Sequence, residues 1–434
     1  MPVTRSWLAG AAATSIALFA LCASPALVAQ AASAKSIRPV PLPTPSPVLT
    51  QTVDPTWVND STGTTANDWL FGFGCNHAAT RACAAAGFVP TNGNSTNNRI
   101  YFSTNYTSWT IGSTPTCTSG CNTPVAGLDA VACSPTSGDT ECMVAGGGGY
   151  VALLPNVATT SGWVPATTGL PATVGGQTLY LYAATCWDKD NCYVAGQING
   201  VGHVYVTSNL SKNGPSWSEV TIAGVEPVWT GISCSKQNGN GSSNTGACMV
   251  VGQNASYNII TVAGNGTGVA GATQTVGNGF PASNWLNAVD CQGGGQATNP
   301  ICYAAGDGGY VVKFTSIATG TTPSTTVVPP TVAGTCTGAN NGATACTGTT
   351  VDLLSAGCGS NDNCSFGGYS GKIVTTENGT SNTDNYVVDQ PPTSDSTSEI
   401  DGLQCPALSN AQYCFAVGQT GSSGGGNIWY RPNQ

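Results

Sequence analysis

Charged side chains are scarce in this chain: 7% of its 434 residues are Asp, Glu, Lys or Arg, against about 25% in ordinary globular domains. The 11 Lys and Arg residues are outnumbered by 20 Asp and Glu residues, so the net charge is −9. So few basic side chains cannot neutralise a run of phosphates, which argues against nucleic acid as a partner. Because few carboxylates gain protons on acidification, stability should depend only weakly on acid pH.

Histidine is rare, and helical sequence patterns are missing. The two histidines, His77 and His203, lie far apart along the chain, so a Ser–His–Asp triad and a histidine zinc site are both poorly supported. No stretch has the apolar periodicity of a long amphipathic helix, whereas Gly (57) and Pro (26) are abundant. The composition therefore predicts an all-β fold with many turns.

The N-terminal region has the pattern of an exported protein. Residues 1–34 predict a signal peptide: Arg5 supplies the positive start, an apolar run follows over 7–21, and small residues at 32–34 form a cleavage site. The five prolines of residues 35–53 predict an extended spacer. Nothing else in the chain is apolar enough to span a bilayer, so we expect no transmembrane anchor. We predict a secreted, extracellular or periplasmic protein with possible association to the cell surface.

Cysteine spacing reveals an internal repeat. Cys22 leaves with the leader, and the remaining 18 cysteines are the even number expected of a disulfide framework. Seven cysteines are each followed four positions later by glycine: Cys83/Gly87, Cys142/Gly146, Cys192/Gly196, Cys248/Gly252, Cys302/Gly306, Cys364/Gly368 and Cys414/Gly418. Each has an upstream partner cysteine: Cys75, Cys133, Cys186, Cys234, Cys291, Cys358 and Cys405. Five residues before each partner stands an apolar residue: Leu70, Leu128, Leu181, Trp229, Leu286, Leu353 and Ile400.

The repeat unit predicts one blade of a β-propeller. The two cysteines fit facing strands of a hairpin joined by a disulfide, with the glycine as a turn that ends the second strand. Two more strands follow, and the fourth often carries tryptophan, as at Trp109, Trp163 and Trp217. Four strands in about 50 residues make one blade, so residues 54–434 predict seven blades. The last repeat lacks a fourth strand, and we expect the segment 55–58 at the start of the ring to supply it.

Two further cysteine pairs fall outside the repeat. Cys117 with Cys121, and Cys336 with Cys346, are predicted to be local loop disulfides. Metal ligation by these cysteines competes with disulfide formation, and we expect neither a metal nor a cofactor.

The strand and turn patterns resemble the sialidase-superfamily propellers built from bacterial neuraminidase (Asp-box) repeats, and above all the branch that is similar to photosystem II stability and assembly factors. The strand portions match at Ile232, Val289 and residues 416–418, and incomplete Asp boxes occur at 103–109, 214–217 and 375–381. The resemblance implies the fold and no particular activity, since this fold carries many functions. A sialidase would need an arginine triad on separate blades. The four arginines outside the leader do not fit one: Arg38, Arg81, Arg99 and Arg431.

Candidate binding residues lie on or beside the innermost strands. They are Asp129, Trp229, Asp290, Asp352 and Asp401, which we predict to face the propeller axis. The acidic loops around Asp188 and Asp362 suit either calcium or a tight turn, and we favour turns.

We predict a non-catalytic propeller that binds an unknown protein or glycan through the loops on its faces. One alternative is a carbohydrate-active hydrolase or lyase that uses two of the candidate carboxylates. The other is a surface-layer or filament subunit that self-assembles.

Overall fold

The computed structural model describes residues between 57 and 431, so the signal peptide and the spacer lie outside the described residues. The exceptions within this range are 60–67, 77–81, 92–93, 106–107, 113–120, 126, 136–139, 156–162, 211–214, 236–245, 263–267, 278, 293–300, 316, 318–321, 331–346, 348, 360–363, 378–384, 390, 392–393, 395, 409–410, 413 and 421–424. The described chain contains strands and one 3-10 turn, Asp307–Gly309. None of the described residues forms a helix long and apolar enough to cross a membrane.

Seven antiparallel sheets follow one another along the chain, and each is one blade. From blade 1 to blade 7 the innermost strands are β2 (Trp69–Cys75), β6 (Leu128–Cys133), β11 (Gln177–Cys186), β15 (Trp229–Cys234), β20 (Leu286–Gln292), β24 (Leu353–Cys358) and β28 (Glu399–Gln404). The second strands are β3 (Cys83–Thr91), β7 (Cys142–Gly146), β12 (Cys192–Ile198), β16 (Gly246–Gly252), β21 (Ile301–Gly306), β25 (Cys364–Gly368) and β31 (Cys414–Thr420).

The outer half of each blade completes the four-stranded unit. The third strands are β4 (Asn94–Ser103), β8 (Tyr150–Leu154), β13 (Val201–Thr207), β17 (Ser256–Val262), β22 (Val311–Thr315), β26 (Ile373–Glu377) and β32 (Gly425–Arg431). The fourth strands are β5 (Thr110–Gly112), β9 (Val164–Pro165), β14 (Trp217–Glu219), β18 (Gly268–Ala270), β23 (Ser324–Val328), β27 (Asn385–Asp389) and, in blade 7, β1 (Val58–Asn59). Four short strands are additional: β10 (Thr173–Val174), β19 (Gln274–Thr275), β29 (Ala407–Leu408) and β30 (Ala411–Gln412).

The ring closes through the start of the chain, as predicted. Strand β1 pairs antiparallel with β32, so that Val58 faces Tyr430. Trp57 is fully buried beside β1 and packs with Ile373 of blade 6. Trp109, Trp163 and Trp217 lie at the same point of blades 1 to 3 and likewise pack in clusters shared with the preceding blade. The inner strands contact one another in sequence around the ring, and β28 contacts β2.

The within-blade disulfides are confirmed. The bonded pairs are Cys75–Cys83, Cys133–Cys142, Cys186–Cys192, Cys234–Cys248, Cys291–Cys302, Cys358–Cys364 and Cys405–Cys414. Cys121 is also disulfide-bonded, while its predicted partner Cys117 lies outside the described residues, as do Cys336 and Cys346.

Each inner strand has a β-bulge at the same position, which explains the glycine of the repeat. The register shifts by one residue directly after the apolar position, for example between Leu181 and Ala183. The bulge residues are Phe71, Asp129, Tyr182, Thr230, Asn287, Leu354 and Asp401. The glycine lies opposite the apolar residue, where a Cβ would lie 1.8 Å from the carbonyl oxygen of Tyr180 at Gly196 and 1.7–2.6 Å from its counterpart in the other blades.

The glycine is therefore a point of close backbone approach, and the prediction that it ends the strand is only partly right. Strands β3, β12 and β31 continue past it. A second small residue follows every bulge: Gly72, Ala130, Ala183, Gly231, Ala288, Ser355 and Gly402. A Cβ on Gly72 would lie 2.8 Å from the backbone of Ala130 in the next blade, so neighbouring inner strands almost touch at this level.

Side chains also tie blade to blade at the end where the cysteines lie. The residue before the inner cysteine accepts a hydrogen bond from the next blade's cysteine N–H. Thr185 accepts from Cys234 (3.4 Å), Ser233 from Cys291 (3.0 Å), Asp290 from Cys358 (2.7 Å) and Gln404 from Cys75. Four of the seven blade junctions therefore share one kind of contact.

Candidate functional site

The two ends of the ring differ in chemistry. We call the end with the disulfides the cysteine end and the end where the inner strands begin the bulge end. The residue before the repeated apolar position forms a ring at the bulge end: Trp69, Gly127, Tyr180, Val228, Trp285, Asp352 and Glu399. Gly127 and Val228 are buried, and the other five are half-buried. We call these five the mouth residues. They are three aromatic and two acidic residues at equivalent positions of five inner strands, at the bulge end of the ring.

An aromatic cluster supports the mouth in blade 1. Trp69 starts β2 and faces Phe88 of β3, with ring centroids 5.5 Å apart. Phe71, the bulge residue, stacks on Phe88 at 5.3 Å. Since three rings contact each other, the exposed part of Trp69 is a rigid apolar surface.

A second cluster lies between blades 2 and 3. Tyr180 and Tyr182 are stacked with centroids 6.4 Å apart, and Gln197 donates a hydrogen bond to the Tyr182 hydroxyl at 2.7 Å. Burial raises the pKa of both phenols, and the nearby carboxylate of Asp129 raises it further. Both tyrosines are therefore neutral hydrogen-bonding groups at physiological pH rather than nucleophiles.

The carboxylates of the mouth belong to blades 6 and 7. Asp352 accepts a hydrogen bond from the Gly308 N–H at 2.6 Å, which anchors the 3-10 turn of blade 5 to blade 6. Burial raises the pKa of Glu399, while a hydrogen bond with Gln419 lowers it. In the same turn, the carboxylate of Asp307 accepts from the Trp285 N–H at 2.8 Å and so fixes the backbone of that mouth residue.

The five predicted axial residues separate into distinct positions. Asp129 and Asp401 occupy the bulges of blades 2 and 7, on either side of blade 1, and Asp352 lies at the mouth. Trp229 is fully buried in the hydrophobic core, so the expectation that it faces the axis is wrong. Asp290 lies at the cysteine end: one carboxylate oxygen accepts from Ser233 (2.8 Å) and Cys291, and the other from Cys358.

These positions bear on the predicted chemistry. Asp290 and Asp352 lie at opposite ends of the inner strands, so they do not form a carboxylate pair. The carboxylate of Asp188 accepts from the backbone N–H groups of Asp190 and Asn191, which is the favoured tight turn, and Asp362 lies outside the described residues. No group of three or more potential metal ligands occurs in the described part of the chain.

The described arginines and the described histidine each contact a carboxylate. Arg99 contacts Asp68 in blade 1 (3.5 Å), and Arg431 contacts Asp389 (3.7 Å). His203 contacts Glu219 of the adjacent strand at 2.5 Å. Arg38, Arg81 and His77 lie outside the described residues.

At or beside two of the incomplete Asp boxes, an asparagine side chain makes the same pair of hydrogen bonds at the cysteine end. The Asn105 side chain accepts from the Ser108 N–H at 3.0 Å and bonds the hydroxyl of Ser103. Asn209 does the same with the Ser216 N–H, also at 3.0 Å, and with Thr207. In both turns a tryptophan follows directly.

Sequence reasoning missed four of the five mouth residues. Trp69, Tyr180, Trp285 and Glu399 share one signal, namely that each stands six residues before an inner cysteine.

The architecture makes this chain a seven-bladed β-propeller. No protein-family model and no curated protein matches the sequence. Among solved structures, YCF48 bound to D1 peptide is similar at 11% identity and a TM-score of 0.51, covering 88% of this chain and 99% of that one. Raptor from Chaetomium thermophilum is similar at 13% identity and a TM-score of 0.52; the match covers 87% of this chain and 29% of Raptor. The WD40 propeller of Doa1 is similar at 11% identity and a TM-score of 0.51; the match covers 86% of this chain and 96% of that domain. At these identities the likeness shows the fold alone.

Proposed function

We propose that this chain is a secreted or cell-surface propeller that binds a protein or glycan through its bulge end, without catalysis. The observation that carries the proposal is the mouth: Trp69, Tyr180 and Trp285 are aromatic, Asp352 and Glu399 are acidic, and all five stand at equivalent positions of their inner strands and are only half-buried. Aromatic rings with a few convergent polar groups are typical of recognition sites.

The rigidity of the propeller frame supports a binding function rather than a catalytic one. The cysteine end is held by disulfides and by blade-to-blade hydrogen bonds, so the mouth is presented on a fixed frame with little ordering cost on binding. Among its described titratable groups, the Tyr180 phenol is neutral, Asp352 accepts a hydrogen bond from the Gly308 N–H, and Glu399 has a hydrogen bond with the Gln419 side chain.

The compartment and the family are part of the same proposal. The predicted signal peptide and the disulfides together favour an oxidising environment outside the cytoplasm. The two Asp-box-like turns favour membership of the Asp-box propellers, in the branch similar to photosystem II assembly factors. YCF48 is described with a bound peptide, which favours a peptide over a glycan for this chain.

The test uses the chain without residues 1–34, screened on a peptide array, a glycan array and a panel of polysaccharides. Trp285→Ala and Tyr180→Ala should weaken the leading interaction about tenfold, since each removes one aromatic contact worth roughly 1–2 kcal/mol. Trp187→Ala is the matched control, because Trp187 is also a half-buried aromatic residue but lies at the cysteine end.

Three outcomes decide the matter. Binding that depends on Trp285 and Tyr180 but not on Trp187 supports the proposal. Equal loss in all three variants rejects the mouth as the site. Polysaccharide turnover that is abolished by Asp352→Asn or Asp290→Asn rejects the non-catalytic function in favour of a hydrolase or lyase.

A further inference from the structure

Exposed valines are unevenly distributed over the surface. Eight large hydrophobic residues are exposed among the described residues, and four of them stand singly on or beside outermost strands: Val58, Ile111, Val164 and Val269. The other four lie at the bulge end of blades 2 to 4, with 46–83% of their surface exposed: Val125, Val174, Val201 and Val225. We call these four the valine belt.

Backbone hydrogen bonds connect the segments that carry the valine belt. The Val125 N–H donates to the Gly147 carbonyl (3.2 Å). The N–H groups of Gly148 and Gly149 donate to the Leu179 carbonyl at 2.8 and 3.0 Å. Leu179 belongs to the hairpin whose tip carries Val174. At the far side, the residue after Val201 donates to the Glu226 carbonyl at 3.1 Å, directly beside Val225.

Glycine turns hold the valines outward. The tip next to Val174 consists of Gly175 and Gly176 with φ of 59° and 81°, and the turn before Val201 has Asn199 and Gly200 with φ of 52° and 80°. Such pairs form tight two-residue hairpin turns, which are rigid for their size. Val174 and Val201 are therefore held by tight hairpins, while Val125 and Val225 precede the inner strands of blades 2 and 4.

Two carboxylates lie near the belt, and His203 lies beside them. Glu226 adjoins Val225, and Glu219 lies nearby through its contact with His203. Burial raises the pKa of Glu226, His203 lowers it and Glu219 raises it, so a further cation beside Glu226 would favour the ionised form. Lys189 is the one Lys or Arg among the described residues of blades 2 to 4, and it lies in a hairpin at the cysteine end.

We propose that the valine belt is a docking surface for a protein segment that combines apolar side chains with Lys or Arg. Several exposed apolar side chains gathered at one end of three neighbouring blades mark an interaction site, and the glutamates favour a basic partner. A second copy of this chain fits poorly, because its net charge is −9. The belt lies at the same bulge end as the mouth but consists of different residues, so this inference deepens the proposed function and rests on it, and the Trp285→Ala variant distinguishes the two sites.

The test measures binding of short labelled peptides to the chain without residues 1–34. The peptides alternate Leu with Lys, Leu with Glu, or Ser with Lys, and binding is followed by fluorescence anisotropy. The Leu–Lys peptide should bind most tightly. The double variant Val174→Asn, Val225→Asn should weaken it about tenfold, the effect expected when valine contacts are lost.

The matched control is the double variant Val164→Asn, Val269→Asn. Val174 and Val164 are 51% and 50% exposed, and Val225 and Val269 are 83% and 66% exposed, so both variants change similar amounts of apolar surface. The double variant Glu219→Gln, Glu226→Gln should also weaken binding of the Leu–Lys peptide and reduce its salt dependence.

Each outcome has a defined meaning. Tight binding of Leu–Lys alone, lost in the belt variant and kept in the control variant, supports the inference. Equal binding of Ser–Lys, or equal loss in both double valine variants, shows non-specific attraction and overturns it. Binding lost in Trp285→Ala but kept in the belt variant overturns the belt while supporting the mouth. A circular-dichroism melt of every variant verifies that it is folded.

Discussion

The glycine opposite each bulge allows a graded test of the packing argument. A Cβ at Gly196 would lie 1.8 Å from the Tyr180 carbonyl oxygen, while at Gly306 it would lie 2.6 Å from the carbonyl oxygen of Trp285. Gly271 is the control, because a Cβ there meets nothing within 4 Å. Real Cβ contacts stay above 3.0 Å, so Gly196→Ala forces the two strands about 1.2 Å apart and Gly306→Ala about 0.4 Å.

These displacements set the expected magnitudes. Gly196→Ala should lower the free energy of unfolding by about 3–4 kcal/mol, since it overpacks the site and pulls apart the hydrogen bonds beside the bulge. Gly306→Ala should cost about 1–2 kcal/mol, because a small shift relieves the contact. Gly271→Ala should be neutral or should stabilise by up to about 1 kcal/mol through the unfolded chain.

Equilibrium unfolding in guanidinium chloride, followed by tryptophan fluorescence, measures the series. The order Gly196, Gly306, Gly271 is the essential result, and the unfolding slope should stay the same across variants. If Gly196→Ala were as stable as Gly271→Ala, the close approach would not exist in solution and the account of the repeat glycine would be wrong.

Three further predictions concern closure, blade junctions and pH. Trp57→Ala should lower the free energy of unfolding by about 3–5 kcal/mol, whereas Val58→Ala should have little effect. Deletion of residues 54–62 should abolish the cooperative melt, and an unchanged melt would refute closure of the ring by the N-terminal strand. Asp290→Ala should cost about 2–3 kcal/mol in the same assay, because it leaves the Cys358 N–H without its acceptor; a neutral effect would contradict the junction role. Burial raises the folded-state pKa of Glu399 above its ordinary 4.5, so the ionised carboxylate destabilises the folded state above that raised pKa, and this penalty should fade as pH falls through it. The variant Glu399→Gln should therefore be more stable than the wild type at neutral pH, and its stability should change less on acidification. Identical stability–pH profiles for the two proteins would refute this.

The sequence predicted the fold because the repeat reports it directly. A cysteine pair in each unit specifies which strands are neighbours, and the tryptophan of residues 55–58 identified the strand that closes the ring. The bulge was not predicted, because alternation of side chains along one strand does not show where its partner shifts register. The small residue after each bulge, such as Gly72, is needed because the inner strand of the next blade lies directly against it.

The candidate site was harder to predict because its residues act across blades. Asp290 was placed correctly on an inner strand, yet its acceptor role depends on a cysteine 68 residues away in sequence. Trp229 occupies the position that other blades fill with leucine or isoleucine, and its size suggested a binding role that its complete burial contradicts. The mouth residues became recognisable only after the bulge had fixed which end of each strand they occupy.

The disulfide at the base of each inner hairpin has a consequence for engineering. The bonded cysteines are separated by between 6 and 14 residues, and the strands beyond them keep the same register in every blade. The crosslink therefore isolates whatever lies between the two cysteines from the rest of the ring. Foreign sequences inserted in these seven hairpins should be displayed together on one face, leaving the opposite face undisturbed.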